Sequence, residues 1–380
     1  MKVCVVTGSR ADYGLLKNLM LMLKNNSEID FQLMVTGMHL SNFFGNTLQQ
    51  LLDDGFSVES SVHTLPSQLT PGEIARAVGQ GFIGGSKELE RLNPNLVIVL
   101  GDRYEIYAIA AAAYILGIPI GHIHGGEVTQ GSIDEGLRHS ISKFASVHFT
   151  ATEKSMKRVI QLGEQPGRVF NVGSLGAENV SNLQIVERRV LETRFGFKFG
   201  EKTLVVSYHP ATSNVEESQQ ELLNLLQALR DKPINLIITY PNADALGDQF
   251  AYLLQEFITS RESCWLMPSM GHENFLSTIH HSDGLIGNSS SGILEVPSLA
   301  RGTINIGKRQ FGREAGPSII HASGSVESIE IALEELFSDT FKMSLDPTEN
   351  PYFKPNTAAD IHKLISVFQP NSQGKIFFDH

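Results

Sequence analysis

The chain has 380 residues, 41% apolar and 19% charged, the balance of a folded globular protein of about two domains at roughly 100–200 residues each. Thirty Lys and Arg against 41 Asp and Glu give a formal net charge of −11. That excess opposes general binding to a nucleic-acid backbone, so an anionic ligand must be held by a few local basic groups.

The two cysteines, Cys4 and Cys264, lie far apart and form no CxxC pair, which argues against a disulfide or zinc framework and fits a reducing compartment. The opening apolar stretch is too short for a signal peptide. The longest apolar run, residues 107–116, ends at Gly117 and Pro119, well below the roughly 18 residues of a membrane span. A cytoplasmic protein with no membrane partner is expected.

In chain order, compact Val- and Ile-rich runs at residues 2–7, 31–36, 96–100, 118–123, 147–150 and 169–172 alternate with helical patterns at 15–23, 74–92, 106–116 and 156–162. Pro71 suits the first turn of the longest helix. Continuous apolar strands alternating with helices predict a parallel sheet covered on both faces. Gly173-Ser174-Leu175-Gly176 reads as a hinge, after which the pattern restarts. The second series has strands at 203–207, 234–239, 263–267, 284–286 and 303–306, helices at 217–229 and 246–258, and a final helix near 358–368. The expected fold is α/β, with two doubly wound Rossmann-like domains facing a cleft. Residues 1–173 form the first, 174–357 the second, and 358–380 a helix and tail packing back on the first.

In such sheets ligands bind beyond the carboxyl ends of the strands, and polar clusters occur there. Gly8-Ser9-Arg10, Gly101-Asp102-Arg103 and His122 to Glu127 follow strands of the first half; Tyr208-His209-Pro210, Tyr240-Pro241-Asn242 and Gly287-Asn288-Ser289-Ser290 follow strands of the second. The small residues before Ile293 leave backbone amides for a phosphate, and Glu295, expected in the first helical turn, can accept hydrogen bonds from ribose. The same residues also read as a plain helix cap. No GxGxxG and no P-loop is present.

Asp102, Glu127 and Asp134 are carboxylates that can divide acid and base roles if they converge. Each has a structural alternative: Asp102 pairs with Arg103 or caps a helix, and Asp134 forms an i,i+4 pair with Arg138. His122 and His124 read as hydrogen-bonded polar residues or as metal ligands. His209 can neutralise a leaving phosphate or move a proton. The loop from Met267 to His272 suits edge contacts with a base.

These ordered segments, with Arg138-His139-Ser140-Ile141-Ser142-Lys143 and Asn305-Ile306-Gly307 through Arg313-Glu314, resemble the hydrolysing UDP-N-acetylglucosamine 2-epimerases from residue 3 to about 315. The resemblance implies a fold of the glycosyltransferase-B type, with no metal and no other cofactor. It implies UDP elimination from the sugar to a 2-acetamidoglucal, then hydration to free N-acetylmannosamine. In that scheme Asp102, Glu127 and Asp134 handle the C2 proton and the water, and His209 lies against the diphosphate. Arg10, Arg103, Asn242, His272, Ser289, Ser290, Glu295 and Arg313 bind UDP. A homodimer or homotetramer is implied. UDP-N,N'-diacetylbacillosamine is an alternative substrate that the motifs leave open, and a glycosyltransferase of the same fold is a further alternative.

Overall fold

The computed structural model describes all residues except 42–46, 67–69, 130–132, 210–214, 241–246, 268–269, 371–373 and 380. It divides into two compact units. The first comprises Met1–Glu127, Ile133–Glu178 and Lys354–His380; the second comprises Asn179–Phe353 with the short segment Val128–Ser132.

Seven strands form the sheet of the first unit: β1 (Lys2–Thr7), β2 (Asp30–Thr36), β3 (Ser60–Val62), β4 (Leu96–Leu100), β5 (Ile120–Ile123), β6 (Val147–Thr150) and β7 (Val169–Asn171). Their order is β3-β2-β1-β4-β5-β6-β7, with every pairing parallel. All five residues of β4, LVIVL, are buried, as an inner strand with helices on both faces requires. The strand order reverses between β1 and β4, so the loops after these two strands diverge and leave a crevice.

The second unit repeats the plan with β8 (Thr203–Ser207), β9 (Asn235–Thr239), β10 (Cys264–Met267), β11 (Gly284–Gly287), β12 (Gly302–Ile306) and β13 (Ile319–Ala322). The order is β10-β9-β8-β11-β12-β13, again wholly parallel, with its reversal between β8 and β11. Val206, Ile238, Ile286 and Ile304 of the sheet pack with Leu222, Phe250 and Ile329 from the helices.

The final helix, Thr357–Ser366, buries Ala358, Ile361 and Ile365 in the core of the first unit beside Leu16, Leu19 and Leu23. The segment read as a hinge is instead buried. Ser174 and Leu175 have no exposed surface, and Leu175 starts the helix Leu175–Ser181. The main unit boundary falls inside that helix, between Glu178 and Asn179, with the chain returning at Phe353/Lys354 and the short segment Val128–Ser132 crossing earlier. Strands β3 and β13 are additions to the expected series. Both lie at a sheet edge, where a short strand needs little apolar length. No helix among the described residues is long and apolar enough to cross a membrane.

Candidate active site

In the first unit the polar side chains gather at the carboxyl ends of β1, β4 and β5. Gly101 turns the chain out of β4 at φ +76°, and the Asp102 carboxylate accepts a hydrogen bond from Arg138. A second guanidinium nitrogen of Arg138 donates to the backbone carbonyl of Glu127 at 2.9 Å. Arg138 is buried on the helix Ile133–Phe144. One guanidinium therefore ties the end of β4 to the loop after β5, holding Asp102 and Glu127 in one neighbourhood. Asp134 stands half-buried in the first turn of the same helix, one turn before Arg138.

Of the structural alternatives for Asp102, no ion pair with Arg103 is formed, and Arg103, not Asp102, stands at the N-cap of the helix Tyr104–Ile115. Arg103 instead pairs with Glu105, which has no exposed surface and underlies the loops at Gly8 and Gly37. Burial opposes the Arg103 charge, but Glu105 and Asp12 outweigh it and raise the pKa. Burial lifts Asp12 to about 6, against the pull of Arg103. Arg103 is thus anchored beneath the β1 turn. Arg10 opens the helix Arg10–Lys24 on the exposed side of that turn, and Ser9 caps the helix by accepting from the Asp12 amide.

After β5 the chain makes a tight approach to the helix Glu153–Gln161. Gly126 sits at φ +77°, and a side chain there would collide with the Ser155 carbonyl. Arg158 closes the contact by donating to the Gly126 carbonyl at 2.5 Å. His122 does not behave as a metal ligand: its Nδ1 meets Ser142 Oγ at 3.1 Å and its Nε2 the Gly101 carbonyl at 2.7 Å. Burial above all holds its pKa down at about 3, so it is a neutral strut. His124 lies just beyond the end of β5. Its φ of +65° is left-handed, and its Nδ1 lies 3.2 Å from Glu127 Oε1. Among the described residues no group of three or more His, Cys, Asp or Glu could hold a metal ion.

In the second unit the reversal point carries His209 and Asn288. The His209 amide donates to Asn288 Oδ1 at 2.7 Å, and Asn288 Nδ2 donates to the His209 carbonyl at 2.8 Å. The Asn288 carbonyl accepts from Arg309 and from Gln310, each at 2.9 Å. Loops after β8, β11 and β12 are thereby locked together. Burial, and then the Arg309 charge, hold His209 down at about 3. The imidazole is neutral at physiological pH, so charge neutralisation is not available to it in this state, whereas a hydrogen bond is.

Glu295 corrects an expectation. The helix Ser290–Leu294 is only five residues long, and Glu295 is its C-cap rather than a first-turn residue. Its buried carboxylate meets His272 Nε2 at 2.6 Å, joining the end of the short helix after β11 to the start of the helix His272–His281 after β10. Ser289 stands at the N-cap position of the short helix without a side-chain cap hydrogen bond, and Ser290 begins it, both half-buried. Arg313 lies half-buried in the loop after β12. Asn242, with Pro210, Pro241, Pro268 and Ser269, lies outside the described residues.

Sequence reasoning missed Glu105, the double bond of Arg138 and the Asn288 clamp. The Arg138 and Asn288 contacts join groups far apart along the chain, whereas Glu105 pairs with Arg103 two residues away but lies beneath the distant Gly8 and Gly37 turns. A signal existed only for Asn288, as the first polar residue after a strand.

Two doubly wound Rossmann-like sheets in one chain define a fold of the glycosyltransferase-B class. The Neisseria meningitidis UDP-GlcNAc 2-epimerase, solved bound to UDP-GlcNAc, superposes with a TM-score of 0.82 over 96% of this chain and 99% of its own, at 19% identity. The sequence model for UDP-N-acetylglucosamine 2-epimerase matches residues 21–366. The chain is 38% identical to the "polysialic acid biosynthesis protein P7" of Escherichia coli, covering 100% of this chain and 97% of the relative. It is 35% identical to the "GDP/UDP-N,N'-diacetylbacillosamine 2-epimerase (hydrolyzing)" of Campylobacter jejuni, covering 90% and 89%. The chain belongs to the UDP-N-acetylglucosamine 2-epimerase family, and the motif resemblance to its hydrolysing members holds.

Proposed function

We propose that the protein is a hydrolysing 2-epimerase that converts a UDP-2-acetamido sugar and water to UDP and the free 2-epimer, with UDP-N-acetylglucosamine giving N-acetylmannosamine. The observation that carries this reading is the gathering of Asp102, Arg138 and Glu127 at the ends of β4 and β5 in a chain of this family.

The chemical difficulty is that C2–H has no neighbouring carbonyl to acidify it. Cleavage of the C1–O bond must run ahead and make C1 cation-like, so the enzyme has to stabilise both the sugar cation and the departing diphosphate. Carboxylates meet the first need. Asp102, Glu127 and Asp134 are assigned to the C2 proton and to the water that adds at C1. For the second need, Arg10 and Arg313 bring charge and His209 a hydrogen bond. Ser289 and Ser290 bring hydroxyls and loop amides, since the five-residue helix they open has too few peptides for much of a dipole. Glu295 and His272, as a joined pair, are assigned to ribose and uracil, and Asn242 to the nucleotide. Arg103, locked to Glu105, shapes the turn that carries Arg10 and completes the phosphate set.

Asp102→Asn and Glu127→Gln are each expected to lower turnover by about 10²-fold or more while UDP affinity, measured by calorimetry, stays within a few-fold. Near-normal turnover in either removes that residue from the chemistry. The 35% identity to a diacetylbacillosamine enzyme favours a second substrate of the same class, UDP-N,N'-diacetylbacillosamine. Comparing UDP release from the two sugars decides between them. Release of UDP without a free 2-epimer, or transfer only to an added acceptor, excludes the epimerase reading.

A further inference from the structure

We infer that His124 is a catalytic residue of the reaction proposed above, its Nε2 taking the C2 proton, and that Glu127 acts on it as a positioning partner. The inference rests on that reading but moves the removal of the C2 proton from the three carboxylates to His124, leaving Asp102 and Asp134 for the opposite face and the water.

Three observations converge on the imidazole. His124 holds a left-handed backbone, φ +65°, where a non-glycine residue is uncommon and costs energy unless its surroundings impose it. Its surroundings do impose it: the His124 amide donates to the Phe149 carbonyl at 2.9 Å, and the Gly125-Gly126 turn follows at once. The side chain is 9% exposed, yet Nε2 has no hydrogen-bond partner among the described residues. A buried polar atom without a partner carries an uncompensated desolvation cost, which a ligand atom would recover. The other nitrogen, Nδ1, faces the Glu127 carboxylate at 3.2 Å. A carboxylate within ion-pairing distance of Nδ1 favours the proton there and the lone pair on Nε2, the arrangement by which a third group orients a histidine base. His122, two residues earlier, is the contrast, with both ring nitrogens occupied by Ser142 and Gly101.

The step balances without an external reagent. As the C1–O bond breaks, its electron pair leaves with UDP. The C2–H pair becomes the C1–C2 double bond, and the proton passes to Nε2, giving an imidazolium beside Glu127. A second group then protonates C2 from the opposite face while water adds its hydroxyl to C1. The water's proton recharges that second group, and the imidazolium proton goes to solvent.

The test uses the full-length protein and His124→Asn. Asparagine tolerates the left-handed region, so the backbone is kept while the base is removed. The expected result is a fall in turnover of tenfold or more, with UDP affinity within threefold of the parent. A smaller fall, or a fall shared by UDP affinity, overturns the role of His124. His124→Gly, which frees the backbone and opens space for added imidazole, provides the second measurement. Recovery of turnover with imidazole supports the role, and loss without recovery overturns it. Parent protein that releases no UDP from either UDP-2-acetamido sugar overturns the underlying reading instead, so the two failures are distinguishable.

Discussion

Asn288 grips His209 at both its amide and its carbonyl, while its own carbonyl is held by Arg309 and Gln310. With the Asn288 amide also donating to the Ser207 carbonyl, five hydrogen bonds on one buried residue fix the His209 backbone, so damage to Asn288 should register at His209. Asn288→Ala and His209→Ala are each expected to lower turnover, and the double variant to lose less than their product, a coupling of about 0.5 kcal/mol or more. Strictly additive losses would show that the clamp does not act through His209. Asn288→Asp keeps the acceptor for the His209 amide but turns a carboxylate toward the His209 carbonyl, and should be the more damaging change. The polar identity of the clusters in each unit was legible in the sequence because Asp102 in the first unit, and His209 and Ser289 in the second, each follow an apolar run. Their partners were not. Arg138 lies 36 residues from Asp102, whereas the sequence offers it Asp134 at helical spacing, and nothing local announces the backward reach. A left-handed φ at His124 is similarly invisible, since histidine is not a residue that demands it.

Elements show the same division between local and distant causes. Inner strands such as β4, LVIVL, declare themselves by composition. β3, with the sequence SSV, is a strand only because β2 offers it an edge, Met34 to Thr36 opposite Ser60 to Val62. The junction of β11 with the short helix depends on Gly287, at φ +144° and packed against the Ser207 carbonyl. Gly287→Ala should cost several kcal/mol from strain and collision together, read as a lower melting temperature accompanied by loss of UDP binding. A melting temperature equal to the parent's would show that β8 and β11 can separate at this point. The last helix makes a different demand. Ile361 is fully buried in the core of the first unit, so Ile361→Ala is expected to destabilise by about 2–5 kcal/mol. An effect below about 1 kcal/mol in denaturant melts would mean that the helix is not integral to that core.

At the scale of the whole molecule, burial of neutral imidazoles ties stability to pH. Burial first of all holds His122 and His209 at about 3 and His39 at about 4, against an ordinary value of 6.5. Below pH 6.5 the unfolded chain takes up protons at these positions while the folded chain does not, so stability falls as pH falls from about 6.5 toward these folded values. Asp12 works the other way. Raised to about 6 from 3.8, it protonates in the folded state first and adds stability as pH falls through that window. Glu164, held at about 2 by its bonds to His148, Lys143 and Lys375 despite the opposing effect of burial, adds a further loss below pH 4.5. Three imidazoles outweigh one carboxyl, and a net decline in melting temperature between pH 6.5 and pH 4.5 is expected. The groups are not shared evenly. His39 and His122 belong to the first unit, His209 to the second, and Asp12, which opposes the loss, again to the first. If the units melt as separate transitions, both should move down on acidification, and His209→Gln should flatten the pH dependence of the second-unit transition while leaving the first unchanged. A scanning-calorimetry series at constant ionic strength measures this. Transitions that stay level from pH 7 to pH 4.5 would show that these histidines admit water and protons while folded.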